Sequence, residues 1–103
     1  MDDPLQSPPG RFILLHPRDN TVTTLSDLQP GEEIILENQT PAEHLRLRQA
    51  IPYAHKFART HIPQGADVIK YGEVIGMATA NIAPGDHVHV HNVDSKRARG
   101  DRP

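Results

Sequence analysis

The 103-residue sequence has no cysteine and no tryptophan, and only 2 Phe and 2 Tyr. Without cysteine there are no disulfides, no thiolate metal sites and no cysteine nucleophile. With so few large side chains the core is thin, which predicts burial against a partner or, in a homo-oligomer, a second copy. No apolar run approaches the ~20 residues of a membrane span. The start, Met1-Asp2-Asp3-Pro4, is acidic with no apolar stretch behind it, which argues against a signal peptide. Positive charge is not in excess either. Lys+Arg 11 against Asp+Glu 13 leaves a net charge of -2, which argues against nucleic acid or an anionic membrane as the target. The phosphate-loop, dinucleotide-binding, nucleophile-elbow and H-E-x-x-H patterns are absent. These absences describe a small, soluble, cytoplasmic, one-domain protein.

What is present is punctuation. Pro 10 and Gly 7 predict short elements and tight turns. Residues 1–10, MDDPLQSPPG, read as a disordered leader, 11–94 as the domain and 95–103 as a basic tail. Residues 11–15 and 21–25 suit strands around a turn at 16–20. One device then recurs three times, as Leu28-Gln-Pro-Gly31, Ile62-Pro-Gln-Gly65 and Ile82-Ala-Pro-Gly85. Each copy is an aliphatic residue, a turn ending in glycine, a polar pair and a β-branched strand start. Glycine supplies the positive φ of a type II turn. The unequal spacing rules out a solenoid. Residues 44–49 read as a strand and 54–60 as a short helical turn. Residues 71–76 read as strand, glycine turn, strand.

The seven histidines are the other feature, and three of them fall in His87-Val-His-Val-His91-Asn92. Alternation along a strand sends Val88 and Val90 to the core and His87, His89 and His91 to the opposite face. Two imidazoles roughly 7 Å apart along a strand can converge on one ion, whereas the outer pair is too far apart. One strand can thus supply two ligands of a metal site, and the rest come from elsewhere. Fe(II), Mn(II) or Zn(II) suit imidazole and carboxylate donors. The competing explanation is a solvent-facing polar stripe. His16 with Asp19 and Asn20 forms a second candidate, a turn able to grip a polyhydroxy or carboxylate ligand, although ordinary turn chemistry accounts for the last two. His55-Lys56 places a base beside a cation. Arg46 and Arg48 read as a solvated face.

These pieces together resemble a known family. Ile62-Pro-Gln-Gly65, Val68-Ile-Lys-Tyr71-Gly72, Ile82-Ala-Pro-Gly85 and the stretch His87–Asn92 are similar to the altronate dehydratase family, specifically its SAF domain or separate small subunit. His16-x-x-Asp19-Asn20 and Pro52-x-x-His55-Lys56 agree. The resemblance implies a mostly β, SAF-type β-clip fold of short twisted strands with at most one or two short helical turns. It implies a carbon–oxygen lyase subunit, inactive without a large catalytic subunit, that removes water from a sugar acid to give a 2-keto-3-deoxy acid. Fe(II) or Mn(II) is the implied cofactor. The implied roles are catalysis for His16, His87, His89 and His91, with His87 and His89 holding the metal. Substrate binding is implied for Asp19, Asn20, His55, Lys56, Tyr71 and Asn92. The alternatives are a sulfolactate sulfo-lyase small subunit and a non-catalytic binding module for sugar acids or sulfonates.

Overall fold

A computed structural model describes residues 10–95. The leader, Gly10 apart, and the basic tail, Ser95 apart, lie outside the described residues. Among these, the chain forms nine strands and no helix: β1 (Phe12–Ile13), β2 (Thr21–Thr24), β3 (Glu33–Leu36), β4 (Glu43–Arg46), β5 (Lys56–Ala58), β6 (Asp67–Lys70), β7 (Glu73–Ala78), β8 (His87–Val88) and β9 (Val93–Ser95). They make a four-stranded sheet ordered β1-β2-β5-β8, a β3-β4 hairpin and a three-stranded sheet ordered β6-β7-β9. Every pairing is antiparallel. The fold is the mostly β arrangement that the sequence predicts. No helix of the described residues is long and apolar enough to cross a membrane.

The three glycine turns form as expected. Gly31, Gly65 and Gly85 adopt φ of 87°, 90° and 88°. In each turn the residue after glycine donates back to the residue three before it, at 3.3 Å for Glu32, 3.0 Å for Ala66 and 3.0 Å for Asp86. The aliphatic residues that open the copies are buried and tie the chain together. Ile62 and Ile82 exchange backbone hydrogen bonds of 2.8 and 2.9 Å, so the second and third copies pair with each other. Leu28 pairs in the same way with Ile51.

The small core is divided in two. Val22, Leu28, Ile34, Leu36, Leu47, Ile51 and Phe57 form one cluster. Ala58, Ile62, Val68, Ala78, Ile82 and Val88 form the other. The β1-β2-β5-β8 sheet lies between them, because consecutive residues of β5, Phe57 and Ala58, enter different clusters. This explains one correction. Residues 56–58 are a strand hydrogen-bonded on both sides, to β2 and β8, and not part of a helical turn. The turn lies just before it, where the His55 N–H donates to Pro52 O at 3.0 Å.

A second correction concerns the histidine segment. Regular strand ends at Val88, and Val90 is 81% exposed instead of entering the core. Asn92 turns the chain there. Its Oδ1 accepts from His89 N–H at 3.0 Å, its Nδ2 donates to His87 O at 2.9 Å, and its own N–H donates to His89 O at 3.1 Å. The asparagine closes a tight loop with Val90 at the tip, which the chain leaves into β9.

Candidate functional site

The turn at 89–92 changes what the histidines can do. In an extended strand His91 would be far from His87. Here the two ring centroids are 5.3 Å apart. His87 and His89 stack at 5.4 Å, and His55 lies against both, 5.0 Å from His87 and 4.0 Å from His89. Nδ1 of His55 is 2.8 Å from Nε2 of His87. One ring nitrogen from each of His55, His87 and His89 lies within 4.8 Å of the other two.

Local structure explains why His55 is there. Thr24, buried in β2, donates through Oγ1 to Pro52 O at 2.9 Å and shares His55 O at 3.1 Å. The Thr24 N–H also donates to His55 O at 2.9 Å. The turn carrying His55 is thus clamped to β2. From there β5 runs beside β8, with Phe57 opposite His87 and Lys56 opposite Val88.

Because β8 borders a sheet covered on both faces, its histidine is drawn partly out of water. Burial, reinforced by the charges of His55, His91, His89 and Lys56, pushes the His87 pKa down to about 4. The His89 pKa is lowered first by burial, then by His55, Lys56 and His91. Neutral imidazole is the form that binds a metal. Metal–nitrogen bonds of about 2.0–2.1 Å hold neighbouring donors roughly 3 Å apart. The spacing of these three donors, with the lowered pKa of His87 and His89, fits a divalent ion with small ring rotations. No carboxylate joins the group among the described residues, so oxygen ligands would come from a substrate, water or a partner.

The His16–Asn20 turn has a different task. Asp19 is 2% exposed, and its two carboxylate oxygens accept from the N–H groups of Tyr71 and Gly72, both at 2.8 Å. Asn20 donates to Asp67 O at 2.9 Å and accepts from Ile69 N–H at 2.8 Å. Thr21 Oγ1 donates to Ile69 O at 2.9 Å. Three consecutive side chains therefore fasten β6 and the turn after it. Asp19 and Asn20, expected to bind substrate, hold backbone in this structure. The Nδ1 of His16 accepts from Arg18 N–H at 3.1 Å, and its ring lies against Gly72, where an added Cβ would come within 3.0 Å. His16 is not among the three grouped imidazoles. Tyr71 is 70% exposed at a φ of 56°. Asn92 shapes the loop, as described above.

Two residues gain a significance that local sequence did not signal. Lys70, at the end of β6, interacts electrostatically with Lys56, whose pKa falls first through burial and then through the Lys70 charge. Arg59 grips both oxygens of Glu43 at 2.7 and 2.8 Å and donates to Gln39, Pro17 O and Asp19 O. It ties the β3-β4 hairpin to the 16–20 turn. Neither partnership could be read from spacing, since each joins segments far apart in the chain. The exposed arginines behave as a solvated face. Arg46 caps Gly31 O and Arg48 pairs with Asp86 at 3.2 Å.

Comparison with known proteins places this geometry. Residues 10–96 match the family model described as the altronate/galactarate dehydratase SAF domain. The chain belongs to that family. Altronate dehydratase of Escherichia coli (strain K12) is 49% identical over 82 residues, covering 80% of this chain. The SAF chain spans only 16% of that relative's length. The (2R)-sulfolactate sulfo-lyase subunit alpha of Chromohalobacter salexigens is 32% identical, covering 82% of the SAF chain and 95% of the relative. Galactarate dehydratase (L-threo-forming) of Escherichia coli (strain K12) is 32% identical over 81% of the SAF chain and 15% of its own length. These relatives are two dehydratases and a sulfo-lyase subunit.

Proposed function

We propose that this chain is the small subunit of a two-subunit, metal-dependent lyase that dehydrates an altronate-like sugar acid. The observation that carries the reading is the grouping of His55, His87 and His89, with His87 held neutral. The 49% identity to an altronate dehydratase supports the substrate class. Correspondence with 95% of a relative that is itself a subunit supports a separate large partner.

A divalent cation, Fe(II) or Mn(II), would polarise a carboxylate and its neighbouring hydroxyl, making the C2 proton easier to remove. His55, His87 and His89 would hold it. The reaction breaks the C2–H and C3–O bonds, and the enol that remains becomes the 2-keto-3-deoxy acid as water leaves. His91 is exposed and adjacent to His87, and it is suited to protonate the departing hydroxyl. Lys56 beside the group offers positive charge to the substrate carboxylate. The base that takes the C2 proton comes from the large subunit.

Reconstitution tests the reading. The chain, mixed with a longer dehydratase-family chain and Mn(II), should turn over altronate when neither component alone does. Replacing His87 and His89 together with alanine should abolish turnover while the β-sheet circular dichroism persists. Full turnover by that variant would refute the proposal.

A further inference from the structure

Tyr71 and Gly72 close the β6-β7 hairpin as a two-residue loop between the paired residues Lys70 and Glu73. Both have positive φ, 56° for Tyr71 and 74° for Gly72. That combination marks a type I′ turn, which favours Asn-Gly or Asp-Gly because a short polar side chain tolerates the left-handed region. Tyrosine at the first position works against the turn, since its Cβ crowds the following carbonyl. Other groups hold this unfavourable turn in place. Asp19, 2% exposed, gives one carboxylate oxygen to the Tyr71 N–H and the other to the Gly72 N–H, both at 2.8 Å. The His16 ring lies close over Gly72, where an added Cβ would come 3.0 Å from its Cδ2. That ring is itself fixed by the Arg18 N–H, which donates to His16 Nδ1 at 3.1 Å.

The side chain so held contributes little to the fold. Tyr71 is 70% exposed, and its phenol makes no hydrogen bond among the described residues. Among those residues the exposed large apolar side chains are Ile13, Leu25, Tyr53, Tyr71 and Val90, and of these Tyr71 alone has positive φ. A strained backbone that fixes an exposed aromatic in one direction lowers the ordering cost of any contact the ring makes. Tyrosine is among the side chains that dominate protein interfaces. A ring this open gives a small ligand one face, whereas a protein partner covers it whole.

We infer that Tyr71 is an anchor by which this chain docks on its larger partner, with Asp19 and His16 as the positioning residues that present it. The inference deepens the two-subunit reading and rests on it for the identity of the partner. The same domain occurs within a long chain, as 16% of an altronate dehydratase, and matches 95% of a separate subunit, the sulfo-lyase subunit alpha. Where the domain is separate, surface contacts take the place of the covalent link.

Two measurements on the full chain test this: its thermal midpoint alone, and its affinity, by calorimetry, for the longer dehydratase-family chain of the reconstitution. Tyr71→Asn should raise the midpoint by roughly 2–8 °C, because asparagine tolerates the left-handed backbone. The same variant should weaken association about tenfold or more. Tyr71→Phe keeps the ring and should associate within about threefold of the wild type. Ile13→Thr, which removes an exposed apolar side chain from β1, should associate as the wild type does. An unchanged or lower midpoint for Tyr71→Asn, or an equal loss of association in Ile13→Thr, overturns the anchor. Association that holds in Tyr71→Asn while the KM for altronate rises makes Tyr71 a substrate contact and overturns it too. A wild-type chain that does not bind the longer chain overturns the two-subunit reading and the anchor together, whereas binding that ignores Tyr71→Asn overturns the anchor alone.

Discussion

Nδ1 of His55 lies 2.8 Å from Nε2 of His87, joining residues 32 positions apart. At that distance one ring donates a proton and the other accepts it. Which ring donates depends on the tautomer, and in either case one lone pair is used internally until a stronger Lewis acid competes for it. Both rings are positioned by backbone ties, His55 through Thr24 and the 87–92 loop through Asn92.

Acid should weaken the fold through His87. In the unfolded chain this imidazole takes a proton near its ordinary pKa of 6.5, but in the folded protein only near pH 4. Between those values the unfolded state binds more protons, so its share grows as pH falls. Urea midpoints should decline from about pH 6.5 to about pH 4, after which this contribution levels off. The slope should be shallower in His87→Gln. An unchanged slope in that variant would contradict the burial of a neutral ring.

Asp19 should matter for stability out of proportion to its turn position. Asp19→Ala strands the N–H groups of Tyr71 and Gly72, and each unsatisfied donor costs about 1–3 kcal/mol. Urea unfolding should show a total loss of about 2–6 kcal/mol. Asp19→Asn keeps one acceptor and should lose less. A loss below about 1 kcal/mol for the alanine variant would be inconsistent with a buried cap.

Glycine substitutions should separate conformation from space. Gly65 and Gly85 share nearly the same φ, but a Cβ at Gly65 meets nothing within 4 Å, whereas at Gly85 it would lie 2.2 Å from Arg46 O. Gly65→Ala should cost about 1–2 kcal/mol for the left-handed backbone alone. Gly85→Ala must also move the β4 backbone and should cost at least about 1–3 kcal/mol more. Equal thermal midpoints for the two variants would count against this packing.

His91 should affect chemistry without affecting metal. With the reconstituted enzyme, His91→Gln should lower kcat about 100-fold or more, the range for loss of a general acid. Mn(II) affinity and KM should hold. A loss confined to KM would make His91 a binding group instead.

Much of this architecture was legible in the sequence. The three Gly31, Gly65 and Gly85 turns were readable because positive φ and an aliphatic neighbour leave a local mark. The β2 strand was readable because Thr21-Val-Thr-Thr24 is rich in β-branched residues. The site was only half legible. Alternation identified His87 and His89, but it also sent Val90 inward. The effect of Asn92, which ends the strand, depends on hydrogen bonds to His87 and His89. His55 joined the group through pairing of β5 with β8, and the segment around Lys70 met the 16–20 turn through hydrogen bonds between residues 49 and 52 positions apart. Such long-range meetings leave no periodic trace. The helical reading of 54–60 failed because tertiary pairing on both sides of β5 outweighs local preference.

Metal affinity tests the central claim most directly. Titrating Mn(II) or Fe(II) into the chain at pH 7 should reveal a single tight site that weakens on the order of 100-fold or more when His55, His87 or His89 becomes alanine, while His44→Ala, on exposed β4, binds as the wild type does. Equal affinity in all four variants would mean that the three imidazoles hold no ion, and the account of the site would fail.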